Sequence, residues 1–400
     1  LEPFAEIALV GSVVRIGEAR VLIRSTIERC TATTVGPRTA VSDLGVPRML
    51  ATECGHIHCG VYGTVLSPGP VRPNDTITVE SSTTDLPLPA GTGPRSMLVT
   101  DSAQLEDGRH TLRLRDPYHW FPAEWEAGRH VRVHLPVEGR HTWRTYTAAL
   151  VDGAEFSLII GVRGSVSTAL THLRPGDRLT VSGPFGALTA ARVLASAAEA
   201  PTPEVPTPEV PTPEVSAPEI RSREAAASGI AVVTAGVGLT SALSLLPGLP
   251  DGPPVRLLHI DRGIDQGGRA TVDALERLAE APGRTLTTWD TAARGRPTRA
   301  DLIAAVTGAS AAVVCGGADF VAAAATACEA AGIPSDRIHR EAFTSPVDGL
   351  ADRLAGLEPA VISRPDGTRL PWAPEDGTLL DALEAQAGLV RFALTDDAAD

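Results

Sequence analysis

Apolar and polar residues alternate with a period of two through four short runs between about Arg95 and Ala190: TLRLRD, HVRVHLP, EFSLIIGV and RLTVSG. Gly, Pro and Asp turns separate them, which is the texture of an antiparallel barrel. From Gly229 to about Ser345 the pattern changes. Continuous apolar runs (IAVVTAG, PVRLLHID, AAVVCGG) alternate there with helical stretches (ALSLLPGL, TVDALERLAE, ADFVAAAATACEAAG). Runs apolar on both faces, separated by helices, predict a doubly wound parallel α/β sheet. Residues 1–90 carry further β-like runs (ALVGSVVRIG, ARVLIRS, GVYGTVLS, DTITVE). Residues 357–400 carry a strand-like AVISR, a turn at Asp366-Gly367 and a helical DGTLLDALEAQAG.

Between the two main textures lies a low-complexity tract in which PTPEV occurs three times over 201–215, followed by SAPEI. Proline at this density blocks helix and sheet pairing, and the glutamates repel, so an extended solvated spacer is expected. The predicted organisation is a partial β-barrel over 1–90, an antiparallel β-barrel over 94–190 and a linker over 191–227. A doubly wound parallel α/β domain over 228–346 and a partial α+β piece over 357–400 complete it.

Composition narrows the function classes. Of 400 residues 43% are apolar and 21% charged, the balance of a globular chain. A net charge of −13 argues against nucleic acid and against an anionic membrane as partners. All 35 basic residues are arginine, which excludes Schiff-base chemistry, a P-loop lysine and a lysine general base. Five scattered cysteines form no disulfide framework, and with no secretory pattern the expected setting is cytoplasmic. No apolar run approaches the ~20 residues of a membrane span. From Arg340 onward 5 arginines face 12 acidic residues, an acidic end suited to docking a basic partner or to solubility. The chain opens at Leu1 rather than Met, so a missing N-terminal piece is expected.

Candidate chemistry begins at Trp143-Arg144-Thr145-Tyr146-Thr147. On a strand Arg144 and Tyr146 share one face and Thr147 the other, so a phosphate contact and a ring contact can coexist. At Gly164-Ser165-Val166-Ser167 backbone N–H groups and the Ser167 hydroxyl meet at a helix start, either as an anion site or as a plain cap.

The order Arg-Thr-Tyr-Thr, Gly-x-x-Ser, Pro-Gly-Asp, Gly-Pro-Phe-Gly resembles the flavin domain of the ferredoxin–NADP reductase family. The resemblance implies that Arg144, Gly164 and Ser167 bind the phosphate end of a flavin, that Tyr146 and Thr147 lie against its ring, and that Thr145 and Ser165 belong to the same cofactor site. FAD is expected, with FMN as the alternative, because the Gly183-Pro184-Phe185-Gly186 turn resembles FAD-type members. The second half is similar to the same family. Thr234-Ala235-Gly236-Val237-Gly238-Leu239-Thr240 matches its dinucleotide turn, with Ala235 and Ser241 as departures from the family glycine and proline. Cys315-Gly316-Gly317 resembles the family's Cys-Gly-Pro, whose cysteine sits beside the nicotinamide; read alone, Cys315 is a buried strand cysteine. Glu341-Ala342-Phe343 matches the closing Glu-x-Phe. Thr234, Gly236, Gly238, Thr240, Gly316 and Phe343 are thereby implied in cofactor binding, and Cys315 and Thr147 as the catalytic pair. After strand PVRLLHID, Asp261 suits a ribose hydroxyl and NADH, while Arg262 suits a 2′-phosphate and NADPH; NADH is the expectation.

The ends carry two further resemblances. Residues 8–80, through Ile16-Gly17-Glu18-Ala19, Glu28-Arg29-Cys30-Thr31 and Gly60-Val61-Tyr62, are similar to the C-terminal half of a MOSC domain. That implies Cys30 as a molybdenum thiolate, with the molybdenum cofactor held only by a complete domain. Residues 360–389 resemble the start of a plant-type ferredoxin domain, but no cysteine follows Cys328, so a 2Fe–2S cluster has no ligands in this chain. A clipped or degraded fusion is expected. Cys54-Gly55-His56-Ile57-His58-Cys59 invites a zinc reading; an extended segment puts Cys54, His56 and His58 on one face. Zinc usually draws its ligands from separated segments, so that reading is set aside.

The function expected is an NAD(P)H-dependent flavoprotein oxidoreductase. It passes electrons to an iron–sulfur centre or another small-molecule or redox-protein acceptor, with service to a molybdenum MOSC site as an extension. The alternatives are the reductase of an oxygenase system and a non-catalytic scaffold.

Overall fold

The computed structural model describes residues 4–36, 45–82, 92–117, 125–137, 140–198, 229–264, 269–343, 357–363 and 369–374. The chain divides into two units, Leu1–Ala342 and Phe343–Asp400.

In the first unit the N-terminal runs form β1 (Ser12–Ile16), β2 (Ala19–Glu28), β3 (His58–Ser67) and β4 (Ile77–Ser82). They pair in the order β3-β2-β1-β4 around a small core of Val10, Val14 and Ile23. Tyr62, Val65, Leu66 and Val79 on β3 and β4 stay exposed.

The period-two runs become β5 (Arg95–Gln104), β6 (His110–Arg115), β7 (His130–Val137), β8 (Arg140–Thr147), β9 (Ala149–Asp152), β10 (Glu155–Ile160) and β11 (Arg178–Phe185). All pairs are antiparallel, in the order β8-β7-β11-β5-β6-β10-β9. Alternate residues turn inward, so Leu112, Leu114, Val131, Val133, Phe156, Leu158 and Val181 make one core. The short helix α1 (Ser165–Leu170) closes it with Val166 and Leu170.

The continuous apolar runs become a parallel sheet, β12 (Gly229–Ala235), β13 (Val255–Asp261), β14 (Arg284–Asp290), β15 (Ala309–Gly316) and β16 (Ile338–Ala342), in the order β14-β13-β12-β15-β16. Successive residues serve opposite cores. Ile230, Val232 and Val313 pack on one face, Ala231, Val233 and Val314 on the other. Burial on both faces is why the strands read as unbroken apolar runs. The longer helices between these strands are α3 (Leu239–Leu245), α4 (Arg269–Ala279), α5 (Arg299–Val306) and α6 (Ala318–Ala330).

One boundary differs from the sequence expectation. Residues 191–198 are not linker: helix α2 (Ala190–Ala198) occupies them, and Val193 and Ala197, 0% and 3% exposed, enter the core that joins barrel residues Ala149 and Ile159 to the parallel sheet. An alanine-rich stretch is a strong helix former, and its apolar residues four apart make a face to bury. The PTPEV repeats, the Asp366-Gly367 turn and the predicted helix near 376–388 lie outside the described residues. In the second unit, β17 (Ala360–Ser363) and β18 (Arg369–Trp372) pair antiparallel. Among the described residues no helix is long and apolar enough to cross a membrane.

Candidate active site

Strand β8 presents the Arg144–Thr147 segment as alternation requires. Tyr146 packs against the barrel core, and burial pushes its hydroxyl up to about 12. Arg144 is half-buried and its Nη1 donates to the Trp143 carbonyl at 2.8 Å. Thr145 is exposed. Thr147, 4% exposed, has a buried hydroxyl with no hydrogen-bond partner among the described residues. A buried hydroxyl normally finds a partner, so this one marks a position where a ligand atom fits.

At the start of α1 the Ser167 Oγ accepts from the N–H groups of Arg163 and Gly164, both at 2.9 Å, and donates to the Gly164 carbonyl. The hydroxyl therefore organises its own loop, which answers the cap reading. Ser165 is exposed, and a Cβ added to Gly164 would meet nothing within 4 Å. The space above this loop is open.

On the parallel sheet, Gly238 is held by close approach. A Cβ there would come within 2.4 Å of the Cys315 carbonyl oxygen and 2.7 Å of its carbon. Gly236 has φ +55°, a left-handed conformation that suits glycine, and a Cβ there would meet nothing within 4 Å. Gly316 abuts the Phe320 ring, 2.8 Å from where its Cβ would stand. Thr240 donates to the Val237 carbonyl at 3.0 Å.

Thr234 is 2% exposed and its hydroxyl pairs with His259 Nδ1 at 2.9 Å. Cys315 is 0% exposed, and burial keeps its thiol protonated far above the ordinary range; Sγ donates to Glu341 Oε2 at 3.9 Å. Phe343 is half-buried and belongs to the second unit.

The structure brings in residues that the sequence reading did not use. Thr147 pairs across the ladder with His130, whose Nδ1 lies 3.9 Å from Glu341 Oε1. The other carboxylate oxygen accepts from Ser241 at 2.7 Å as well as from Cys315. Burial raises the Glu341 carboxyl, against the Ser241 and Cys315 hydrogen bonds. Burial also lowers His130, helped by Arg132. The Glu341 carboxyl and the His130 imidazole thus meet at the seam between barrel and parallel sheet. Ser241 was visible only as a departure from the family proline, and His130 only as one polar residue in an alternating run.

Asp261 is likewise already engaged. Its Oδ2 pairs with Arg109, whose side chain is 11% exposed, and lies 3.7 Å from His259 Nε2; Oδ1 accepts from the Arg262 N–H at 2.8 Å. Burial alone would raise this carboxyl, but His259, Arg109 and the Arg262 amide hold it down at about 2. The Arg262 residue itself is exposed. Arg109, just before β6, carries no motif and gave no sequence signal.

The metal candidates separate. Cys30 is exposed at the start of a single 3₁₀ turn and shares no set of three candidate ligands among the described residues. The Cys54–Cys59 segment does not converge on itself. Burial pushes Cys54 up to about 11, and His58 Nδ1 pairs with Thr26 Oγ1 at 2.9 Å.

Solved structures with a similar fold include a flavohemoglobin from Malassezia yamatoensis (16% identity, 63% of this chain and 60% of that one, TM-score 0.47). Others are the FAD/NAD-binding domain of a nitric oxide dioxygenase from Vibrio cholerae (19%, 63% and 99%, TM-score 0.45) and a ferredoxin NADP+ reductase from Neisseria gonorrhoeae (14%, 63% and 99%, TM-score 0.46). This chain thus spans 60% of the flavohemoglobin's length. No curated protein matches its sequence. The family model of the oxidoreductase FAD-binding domain matches residues 100–189, the segment that holds β6 to β11 and the unpartnered Thr147 hydroxyl. The chain carries an oxidoreductase FAD-binding domain.

Proposed function

We propose that the protein is an NAD(P)H-dependent flavin oxidoreductase that passes electrons to a one-electron acceptor. The observation that carries this reading is Thr147. Its buried hydroxyl has no partner in the flavin-domain segment, and its cross-strand neighbour His130 faces Glu341 of the parallel sheet. The residues present fit FAD: an unpartnered hydroxyl, a half-buried Tyr146, and open space over Gly164 and Gly236. When bound, flavin and nicotinamide supply the redox chemistry, and the protein supplies position and electrostatics.

Arg144 and the Gly164 loop would hold the phosphate end, with Ser167 keeping that loop in shape. Thr147 would orient the ring edge and Tyr146 would flank it. Gly238 lets the dinucleotide turn sit against β15, and Gly236 leaves its approach free of side chains. Ser241 and Cys315 hold the Glu341 carboxyl facing His130, where a proton can be kept at Oε1 or Nδ1. Arg262, exposed, would pair a 2′-phosphate. Because Asp261 is committed to Arg109, the dinucleotide read here is NADPH rather than NADH.

The acceptor is a small molecule or redox protein; a P450, haem or iron–sulfur partner would each fit. A reducing, cytoplasmic setting suits five free cysteines. The MOSC-like and ferredoxin-like ends are read as partial modules. Cys30 is exposed, and no step is assigned to a molybdenum cofactor.

The test is the visible spectrum of the FAD-reconstituted chain before and after anaerobic NADPH or NADH. Bleaching of the flavin band supports the reading; a colourless chain that bleaches no added flavin overturns it. Arg262→Ala should lower kcat/KM for NADPH about tenfold and leave NADH unchanged, the loss of roughly one charge-assisted contact.

A further inference from the structure

We propose that His56, His134 and His141 form a binding site for a divalent transition-metal ion of the zinc class, which fastens the segment after Cys54 onto strands β7 and β8. The three residues come from a loop before β3 and from two neighbouring barrel strands, the separated origin that metal sites favour. One ring nitrogen of each lies within 4.8 Å of the others. Tetrahedral zinc with ~2.0–2.1 Å bonds needs those nitrogens about 3.3 Å apart, so loading draws the rings inward by small side-chain turns.

A second observation points into the same space. His56 is 8% exposed, and the Nε2 atoms of both His56 and His141 are buried with no hydrogen-bond partner among the described residues. Two orphaned imidazole nitrogens in one place are costly without a ligand. The tautomers are largely set. His134 Nδ1 donates to the Cys54 carbonyl at 3.1 Å, which leaves the Nε2 lone pair, now accepting from Ser182 at 2.7 Å, for a metal to take. The same carbonyl holds the His141 ring, leaving its Nε2 free. A backbone carbonyl behind the His134 and His141 imidazoles is the usual second support of a metal-ligating histidine. His56 Nδ1 accepts from the His58 N–H only at 3.2 Å, the long end of the range, and that bond would yield as the ring turns.

An all-imidazole set with no carboxylate excludes magnesium and calcium. The Phe4 ring packs on His56 and His141 at 5.1 and 4.8 Å and covers one side. His56 also lines a cleft of about 550 Å³.

The experiment uses the tag-free full chain, stripped with chelator and titrated with zinc chloride, followed by metal analysis after gel filtration. One equivalent of retained zinc is expected, with an X-ray absorption shell of nitrogen near ~2.0–2.1 Å and no sulfur at ~2.3 Å. His56→Gln and His141→Gln, each checked for native circular dichroism, should weaken binding at least tenfold, while Cys59→Ser should not change it. Zinc-free protein, a sulfur-containing shell, or undiminished binding in both folded variants would each overturn the site. None of these readouts depends on flavin, so failure here is distinct from failure of the oxidoreductase reading.

Discussion

The barrel and the parallel sheet handle their buried polar groups in opposite ways. At the end of β8 the Thr147 hydroxyl is buried and has no partner among the described residues, and the loop at Gly164 lies open. On the parallel sheet, Thr234 pairs with His259, and Asp261 Oδ2 lies by both His259 and Arg109. Ser241 and Cys315 converge on Glu341. A closed chain of polar partners holds architecture together, whereas an open one has a place for a ligand. Motif order alone would rank Thr147 and Thr234 alike; their hydrogen bonds separate them.

The strongest way to break this contrast is at the tight approach on the sheet side. In Gly238→Val, the new Cβ would press on the Cys315 backbone at 2.4 and 2.7 Å, where nothing flexible can give. The expected loss is about 3 kcal/mol in denaturant unfolding, the upper range for overpacking. Unchanged stability would show that the turn is not architectural.

Next comes Arg109→Ala. Removing the arginine strands Asp261 with 17% side-chain exposure, and the expected cost is about 2–3 kcal/mol, below that of a fully enclosed pair. The Asp261 carboxyl stands at about 2 in the folded chain against an ordinary 3.8. Its contribution is therefore complete above about pH 4 and is lost as pH falls toward 2. The deficit of Arg109→Ala against the parent protein should shrink over that window; a constant deficit would place the effect in packing instead.

Thr147→Val sharpens the other side. The orphaned hydroxyl is removed without a lost bond, so apo stability should hold or rise slightly, while FAD affinity falls about tenfold, ~1.4 kcal/mol. A destabilised chain with unchanged flavin affinity would reverse the assignment of Thr147. The smallest effect is expected for Ser241→Ala, about 1 kcal/mol of stability. Glu341, already raised by burial, would titrate at still higher pH on losing that donor, and carbonyl-region infrared difference spectra would report it.

Much of this was legible beforehand. The alternating runs from TLRLRD to RLTVSG and the unbroken ones from IAVVTAG to AAVVCGG each found their sheet, because periodicity reports whether one face or both is buried. Arg144, Thr147, Gly164 and Gly238 were singled out through motif order. Arg109 and His130 were not, since each acts through a partner more than a hundred residues away that no local pattern names. The flank of the proline tract misled for a different reason. Composition beside a spacer looks like spacer, and only the core available to Val193 and Ala197 makes α2.

Strand β7 shows where the division lies. The run His130-Val131-Arg132-Val133-His134 determined by itself that valines face one way and polar residues the other, because successive side chains on a strand must point to opposite sides. Alternation carries no information about what stands across from the polar side. Tertiary packing alone set the Cys54 and Gly55 carbonyls there, with His134 2% exposed against one and Arg132 bonded to the other at 2.7 Å, and so turned an apparently solvated face into a buried histidine cluster.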